Sequence, residues 1–315
     1  MAESKSVVLA ALFANAAIAV VKFIGFSLTG SPAMLSETYH SISDTGNQIF
    51  LLIGIRHGAK TATRSHPFGY GKAQFFYSFL VSVLLFGIAG WESASHGYHA
   101  LTHGETGQIL GGTVTLLGST FPAVYVNYTV LLAGIVFESY ALTKAYRGMR
   151  LDIDRHGWSG LVEAFKKTSN VTTLTAFTED TVAVLGLGTA LVGVFLTEYT
   201  GNPVYDASAA LIIGLLLMGF AVALALENQR LLLGESLPRD EEDKLRTVVE
   251  RTDGVDRIVD FRTVYFGPNR LLVTADVEFD PALDTGSIDS KITDMEERIV
   301  HQNPAVKKVY IEPEV

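Results

Sequence analysis

Six apolar runs, each long enough to cross a bilayer, fill most of the chain up to about residue 230 and fix the class of structure it can adopt. A spanning helix takes about 20 mostly apolar residues. The runs at 7–28, 33–55, 75–98, 124–145, 173–196 and 205–226 meet that length. A large soluble α/β core would instead need alternating strand patterns and more charged faces. Only 18% of the residues are charged, against about 25% in soluble domains, and those are concentrated beyond residue 236. The sequence therefore predicts a six-helix transmembrane bundle over 1–236 and a soluble domain over 237–315.

The joints between the runs set the orientation. "RHGAKTATRSHPFGYGK" and "KAYRGMRLDIDRHGWSGLVEAFKK" carry Arg56, Lys60, Arg64 and Lys72, and Lys144, Arg147, Arg150, Arg155, Lys166 and Lys167. "HALTHGETGQILGGTVTLLGSTFP" and "TEYTGNP" carry no Lys or Arg. Basic joints stay on the cytoplasmic side, so both termini and the tail are expected there, in the inner membrane if the cell is prokaryotic. The N-terminal run lacks a small-residue cleavage site and reads as a retained first helix. The joint after the fourth run spaces Leu151, Trp158, Leu161 and Phe165 as a short interfacial helix would. The Gly- and Thr-rich third joint suggests an external loop with a hairpin.

Beyond Glu235 the pattern changes. "EEDKLRTVVERT" puts Leu245, Val248 and Val249 on one helical stripe. "VDRIVDFRTVYFG" and "NRLLVTADVEFD" read as strands joined at Gly267-Pro268-Asn269. "SIDSKITDMEERIVHQN" spaces Ile288, Ile292, Met295 and Ile299 as a helix, and "VKKVYIEPE" closes as a strand. The order αββαβ predicts a small ferredoxin-like sheet with helices on one face, suited to dimerisation or docking rather than catalysis.

The net charge of −9 and the acidic tail argue against nucleic acid. With no cysteine in the chain, any metal must be held by nitrogen and oxygen. Ionisable groups at bilayer depth cost about 2.5–3.5 kcal/mol each on insertion scales, so they are usually paired or functional. The second run contains Glu37, His40 and Asp44, and the fifth contains Glu179 and Asp180. His40 and Asp44 are four residues apart and share a helical face, with Glu37 one turn before. If the two helices touch, one imidazole and several carboxylates converge on a divalent cation such as Zn²⁺, Mn²⁺ or Fe²⁺. The competing reading is a salt bridge that only joins helices. Lys22 is expected to snorkel, and Glu92, Glu138 and Asp206 to lie at the interface. His96, His99 and His103 read as an external trio on a solvated loop.

"LSETYHSISDTGNQ", "HPFGYGKAQ", "TEDTVAVLG", "GNPVYDASAALIIG" and the αββαβ tail together resemble the cation diffusion facilitators, the family that includes the zinc transporters. "FTEDTVAVLG" is similar to the branch containing zinc transporter nine. The resemblance implies a homodimer that exchanges a cytoplasmic divalent cation for protons, with no resident cofactor and no enzymatic activity. It also implies a central site drawn from paired residues on the second and fifth helices. His40 and Asp44 match the first pair and Asp180 matches the acid of the second, but Ala176 stands where the other ligand belongs. The fourth ligand then falls to Glu179, Glu37 or water. Tyr70 replaces a histidine that would complete a cytoplasmic second site with His66, so that site is expected to be missing. A metal-responsive scaffold without transport is the alternative. An intramembrane hydrolase finds neither a zinc-protease pattern nor a nucleophile elbow.

Overall fold

The computed structural model describes residues 2–103, 112–116 and 119–314, with side chains described from residue 12 onward apart from residues 14, 116 and 119. Six long helical stretches are present: α1 (Ala2–Thr29), α2 (Pro32–Gly58), α3 (Lys72–Leu84) continuing through a π-helical stretch (Leu85–Gly90) into α4 (Trp91–His103), α5 (Val124–His156), α7 (Val171–Thr200) and α8 (Val204–Leu233). Lys72–His103, Val124–His156, Val171–Thr200 and Val204–Leu233 are each long and apolar enough to span a membrane. In α2 the polar residues Glu37, His40, Asp44, Asn47 and Gln48 interrupt the apolar run. In α1 the apolar stretch described is Asn15–Thr29. The protein is a multi-pass membrane protein.

Two compact units form. The first takes the described parts of Met1–Gly54 with Tyr77–Lys166 and Thr172–Glu227; the second takes Ile55–Phe76, Lys167–Val171 and the described part of Asn228–Val315. In the first unit Met34, Leu85, Leu131, Val182, Leu187, Ile213 and Leu217 form a common core. Small residues let helices approach closely there: a Cβ at Gly97 would collide with Leu211 backbone, and one at Gly214 with Ala94 backbone. Such contact between α4 and α8 is how helices gain packing in lipid, where apolar surface alone does not drive association. The third joint contains the hairpin β1 (Thr113–Leu116) and β2 (Ser119–Pro122), paired antiparallel.

The fourth joint differs from its expected form. α5 runs on to His156, so Lys144, Arg147, Arg150 and Arg155 stand on helix, not on a loop. Gly157, at φ 68°, ends it, a conformation glycine adopts at little cost. The short helix α6 (Leu161–Lys167) follows, and Trp158 packs with Met149, Ala164, Leu174 and Leu224.

In the second unit the sheet order is β3 (Val255–Gly267), β4 (Arg270–Phe279), β5 (Val306–Glu314). β3 and β4 pair antiparallel, and β4 and β5 pair parallel, the latter requiring a crossover that α10 (Thr285–Gln302) supplies. Alternate residues of β4, Leu271, Val273, Ala275, Val277 and Phe279, are buried against Leu245 and Val249 of α9 (Arg239–Glu250) and Met295 and Ile299 of α10. One face of the sheet thus carries both helices, as the αββαβ order predicts. The "HPFGYGK" loop packs on the β3–β4 hairpin within this unit: Phe68 lies 6.1 Å from Phe266 between ring centroids, and a Cβ at Gly71 would collide with the Phe266 carbonyl oxygen.

Candidate metal site

α2 presents its polar residues inward because their apolar neighbours face outward: Ile42, Ile49 and Ile53 are exposed, while Glu37, His40, Asp44 and Asn47 are buried. On successive turns, His40 Nε2 stands 3.6 Å from Asp44 Oδ2. Among the described residues, neither ring nitrogen of His40 nor Asp44 Oδ1 has a hydrogen-bond partner. These are lone pairs of the kind that ligate divalent cations. The 3.6 Å separation exceeds a normal hydrogen bond.

α7 carries the acids Glu179 and Asp180. Asn47, one turn beyond Asp44, donates from its side-chain nitrogen to Glu179 Oε1 across 2.7 Å, and both residues are buried. Asp180 follows, half-buried. Asp44 lies in the electrostatic field of Glu179, Glu138 and Asp180, with Lys22 opposing them. Carboxylates gathered in a water-poor interior repel one another unless cations or protons neutralise them. Four positions before Asp180 stands Ala176, which offers no donor.

Among the described residues no three His, Asp or Glu side chains lie together closely enough to hold one metal ion. His40 and Asp44 are brought together and Glu179 is tied to α2 through Asn47. Glu37 is engaged elsewhere: its Oε2 accepts from Lys22 Nζ at 2.8 Å. Lys22 is fully buried and does not snorkel. A carboxylate at the same depth on the adjoining helix satisfies its ammonium where a distant headgroup would not. His66 is exposed in its loop, with its ring stacked on Tyr70 at 4.3 Å between centroids.

Two acids expected at the interface lie inside. Glu138 is buried on α5, because it continues the buried face that Asn127, Leu131 and Gly134 form at helical spacing. Asp206 is buried at the start of α8 and accepts hydrogen bonds from the Ser31 side chain and the Ala33 backbone. It thereby caps the first turn of α2 from another helix, beside the bond from Met34 N–H to Ser31 Oγ at 3.2 Å. His96, His99 and His103 stand on α4 rather than on a loop, the rings of His99 and His103 being 5.4 Å apart between centroids. Asn47 escaped the sequence reading, though its place seven residues after His40 puts it on the same helical face. Lys22 carried no comparable local signal, since its partner lies on another helix.

The cation efflux transmembrane domain matches residues 8–233. The human proton-coupled zinc antiporter SLC30A9, mitochondrial, is 31% identical over 284 residues, which is 89% of this chain and 47% of that protein. Metal tolerance protein C4 of Arabidopsis thaliana is 25% identical over 278 residues, 88% of this chain and 57% of that protein. The cation-efflux pump FieF of Serratia proteamaculans (strain 568) is 24% identical over 304 residues, 95% of this chain and 89% of that protein. The chain thus spans about half the length of the first two relatives and most of the third.

Proposed function

Because the chain belongs to the cation efflux family, its transmembrane-domain match covering residues 8–233, we propose that it exports a divalent metal cation in exchange for protons. The observation that carries the reading is the buried His40–Asp44 pair on α2, with its lone pairs turned inward, facing an α7 turn that bears Glu179 and Asp180. Zn²⁺ is favoured over Mn²⁺ and Fe²⁺ by affinity at nitrogen and oxygen donors, and by likeness to a protein named as a zinc antiporter.

In this reading Asp44, Asp180 and neutral His40 hold the ion, with Glu179 as fourth ligand. Glu179 Oε1 already accepts from Asn47, which leaves its other oxygen for the ion. Metal ligands must be deprotonated to bind, so protons and metal compete for the same lone pairs. Inward proton flow therefore drives release to the outside. Since the ligands do not converge in this conformation, assembly of the site belongs to another facing of the bundle, and alternation between the two is the transport cycle. Both termini lie in the cytoplasm, as the basic joints require, in the inner membrane if the cell is prokaryotic. Residues 237–315 form a cytoplasmic domain that joins two copies as a homodimer.

Reconstituted vesicles with an internal metal-sensitive dye test the reading. The parent should move Zn²⁺ under an opposing pH gradient, and His40→Ala and Asp44→Ala should each lose at least tenfold in rate, about 1.4 kcal/mol of barrier. Parent-like flux in both variants would put the site elsewhere.

A further inference from the structure

The Lys22–Glu37 pair is the most deeply buried ion pair described, with side-chain exposures of 1% and 0%. It joins α1 to α2 inside the membrane unit. Glu37 precedes His40 by one turn on nearly the same face. Its second oxygen, Oε1, has no hydrogen-bond partner among the described residues and abuts Gly186 of α7, where a Cβ would come within 2.6 Å. The carboxylate is thus wedged between the two helices that carry the proposed ligands. Lys22 in turn is the positive charge felt by His40, Asp44 and Glu138.

We propose that Lys22 is a resident counter-cation of the transport site, a positioning residue that keeps Glu37 off the transported metal and weakens metal binding by its own charge. The proposal rests on the transport reading, which supplies the ligand set. An ammonium cannot ligate a metal, and a second cation beside the same carboxylates is repelled by it. A site with one more free carboxylate and one fewer positive charge would hold a divalent ion too tightly to release it at each cycle. Gly186 of α7 is part of the device, because only glycine there leaves room for the Glu37 oxygen.

The test is Co²⁺ and Zn²⁺ binding to the full chain in detergent by equilibrium dialysis, alongside its melting temperature. Lys22→Met should bind metal about tenfold more tightly, equivalent to about 1.4 kcal/mol, and release it more slowly. Glu37→Gln, which leaves the ammonium unneutralised, should bind about tenfold more weakly by the same conversion. The double variant should fall between them. The reversed pair, Lys22→Glu with Glu37→Lys, keeps an ion pair but moves the ammonium onto α2 beside His40. It should keep its melting temperature and lose metal affinity by about tenfold or more. A pair that merely joins helices would lower the melting temperature in both single variants without opposite shifts in affinity, and would let the reversed pair bind like the parent. Either result overturns the proposal, and the reversed pair decides alone if the single variants do not fold. A parent that binds neither metal overturns the transport reading and this inference together; a parent that binds, with variants shifting in the same direction, overturns this inference only.

Discussion

The side-chain amide of Asn47 donates to Glu179 Oε1 across 2.7 Å, and through that bond the polar face of α2 is fastened to the acid-bearing turn of α7. Asn47→Ala would leave a buried carboxylate oxygen without its donor, at about 1–3 kcal/mol. Thermal unfolding in detergent should show the loss. Asn47→Asp sets a second carboxylate against the first, so its loss at neutral pH should exceed that of Asn47→Ala, and added Zn²⁺ should restore part of it.

Ala176 stands one turn before Asp180, where an imidazole would face the same side of the helix. Ala176→His adds a nitrogen donor to a set otherwise rich in carboxylates. Softer, imidazole-rich sites favour Zn²⁺ over Mn²⁺, so the ratio of Zn²⁺ to Mn²⁺ flux in vesicles should rise by about tenfold, a change of about 1.4 kcal/mol. An unchanged ratio would mean that position 176 does not face the ion.

Asp206 caps α2 from α8 through the Ser31 side chain and the Ala33 backbone N–H. Removing a cap typically costs about 1 kcal/mol. Asp206→Ala should therefore lower the melting temperature and speed hydrogen exchange in the first turn of α2, with Asp206→Asn falling between variant and parent. Metal affinity should change less than stability, since the cap lies at the helix end rather than beside His40.

Gly71 has no room for a side chain, because a Cβ there meets the backbone carbonyl of Phe266. Backbone cannot swing aside as a flexible side chain can, and overpacking of this kind costs about 1–3 kcal/mol. Gly71→Ala should loosen the "HPFGYGK" loop from the β3–β4 hairpin, seen as faster proteolysis in residues 60–72 of the full chain.

Asp284 caps α10 by accepting from the Ser287 backbone N–H at 2.8 Å, and that bond holds its carboxyl below the usual carboxylate range. The unfolded chain thus takes up the proton at higher pH than the folded one, and the carboxylate stabilises the fold above the ordinary aspartate value of about 3.9. That contribution fades as pH falls from there through the lower folded-state value. Hydrogen exchange in the first turn of α10 should be faster in Asp284→Ala than in the parent at neutral pH. The difference should close in acid.

Local patterns carried most of the architecture. The apolar runs, the alternation in "LLVTADVEF" and the helical spacing of Ile292, Met295 and Ile299 each report on a stretch shorter than one element, and the elements appear where those patterns stand. The His40–Asp44 relationship was legible for the same reason, as both residues lie on one helix. What escaped depends on partners far apart in sequence. Glu179 finds Asn47 across 132 positions, Lys22 finds Glu37 across a change of helix, and Asp206 caps a helix that begins 174 residues earlier, at Pro32. The extension of α5 escaped for another reason: its basic residues read as loop charge, yet Arg and Lys are good helix formers.

Only Gly30 and Ser31 separate α1 from α2, with Gly30 in the left-handed conformation at φ 64°. A link so short makes the two helices a single hairpin during membrane insertion. Lys22 and Glu37 can then enter the bilayer already joined, sparing each the separate charge penalty of about 2.5–3.5 kcal/mol. α2, whose apolar run is broken by Glu37, His40, Asp44, Asn47 and Gln48, is thereby escorted into lipid by its predecessor, so order of synthesis and order of assembly coincide at this end of the chain.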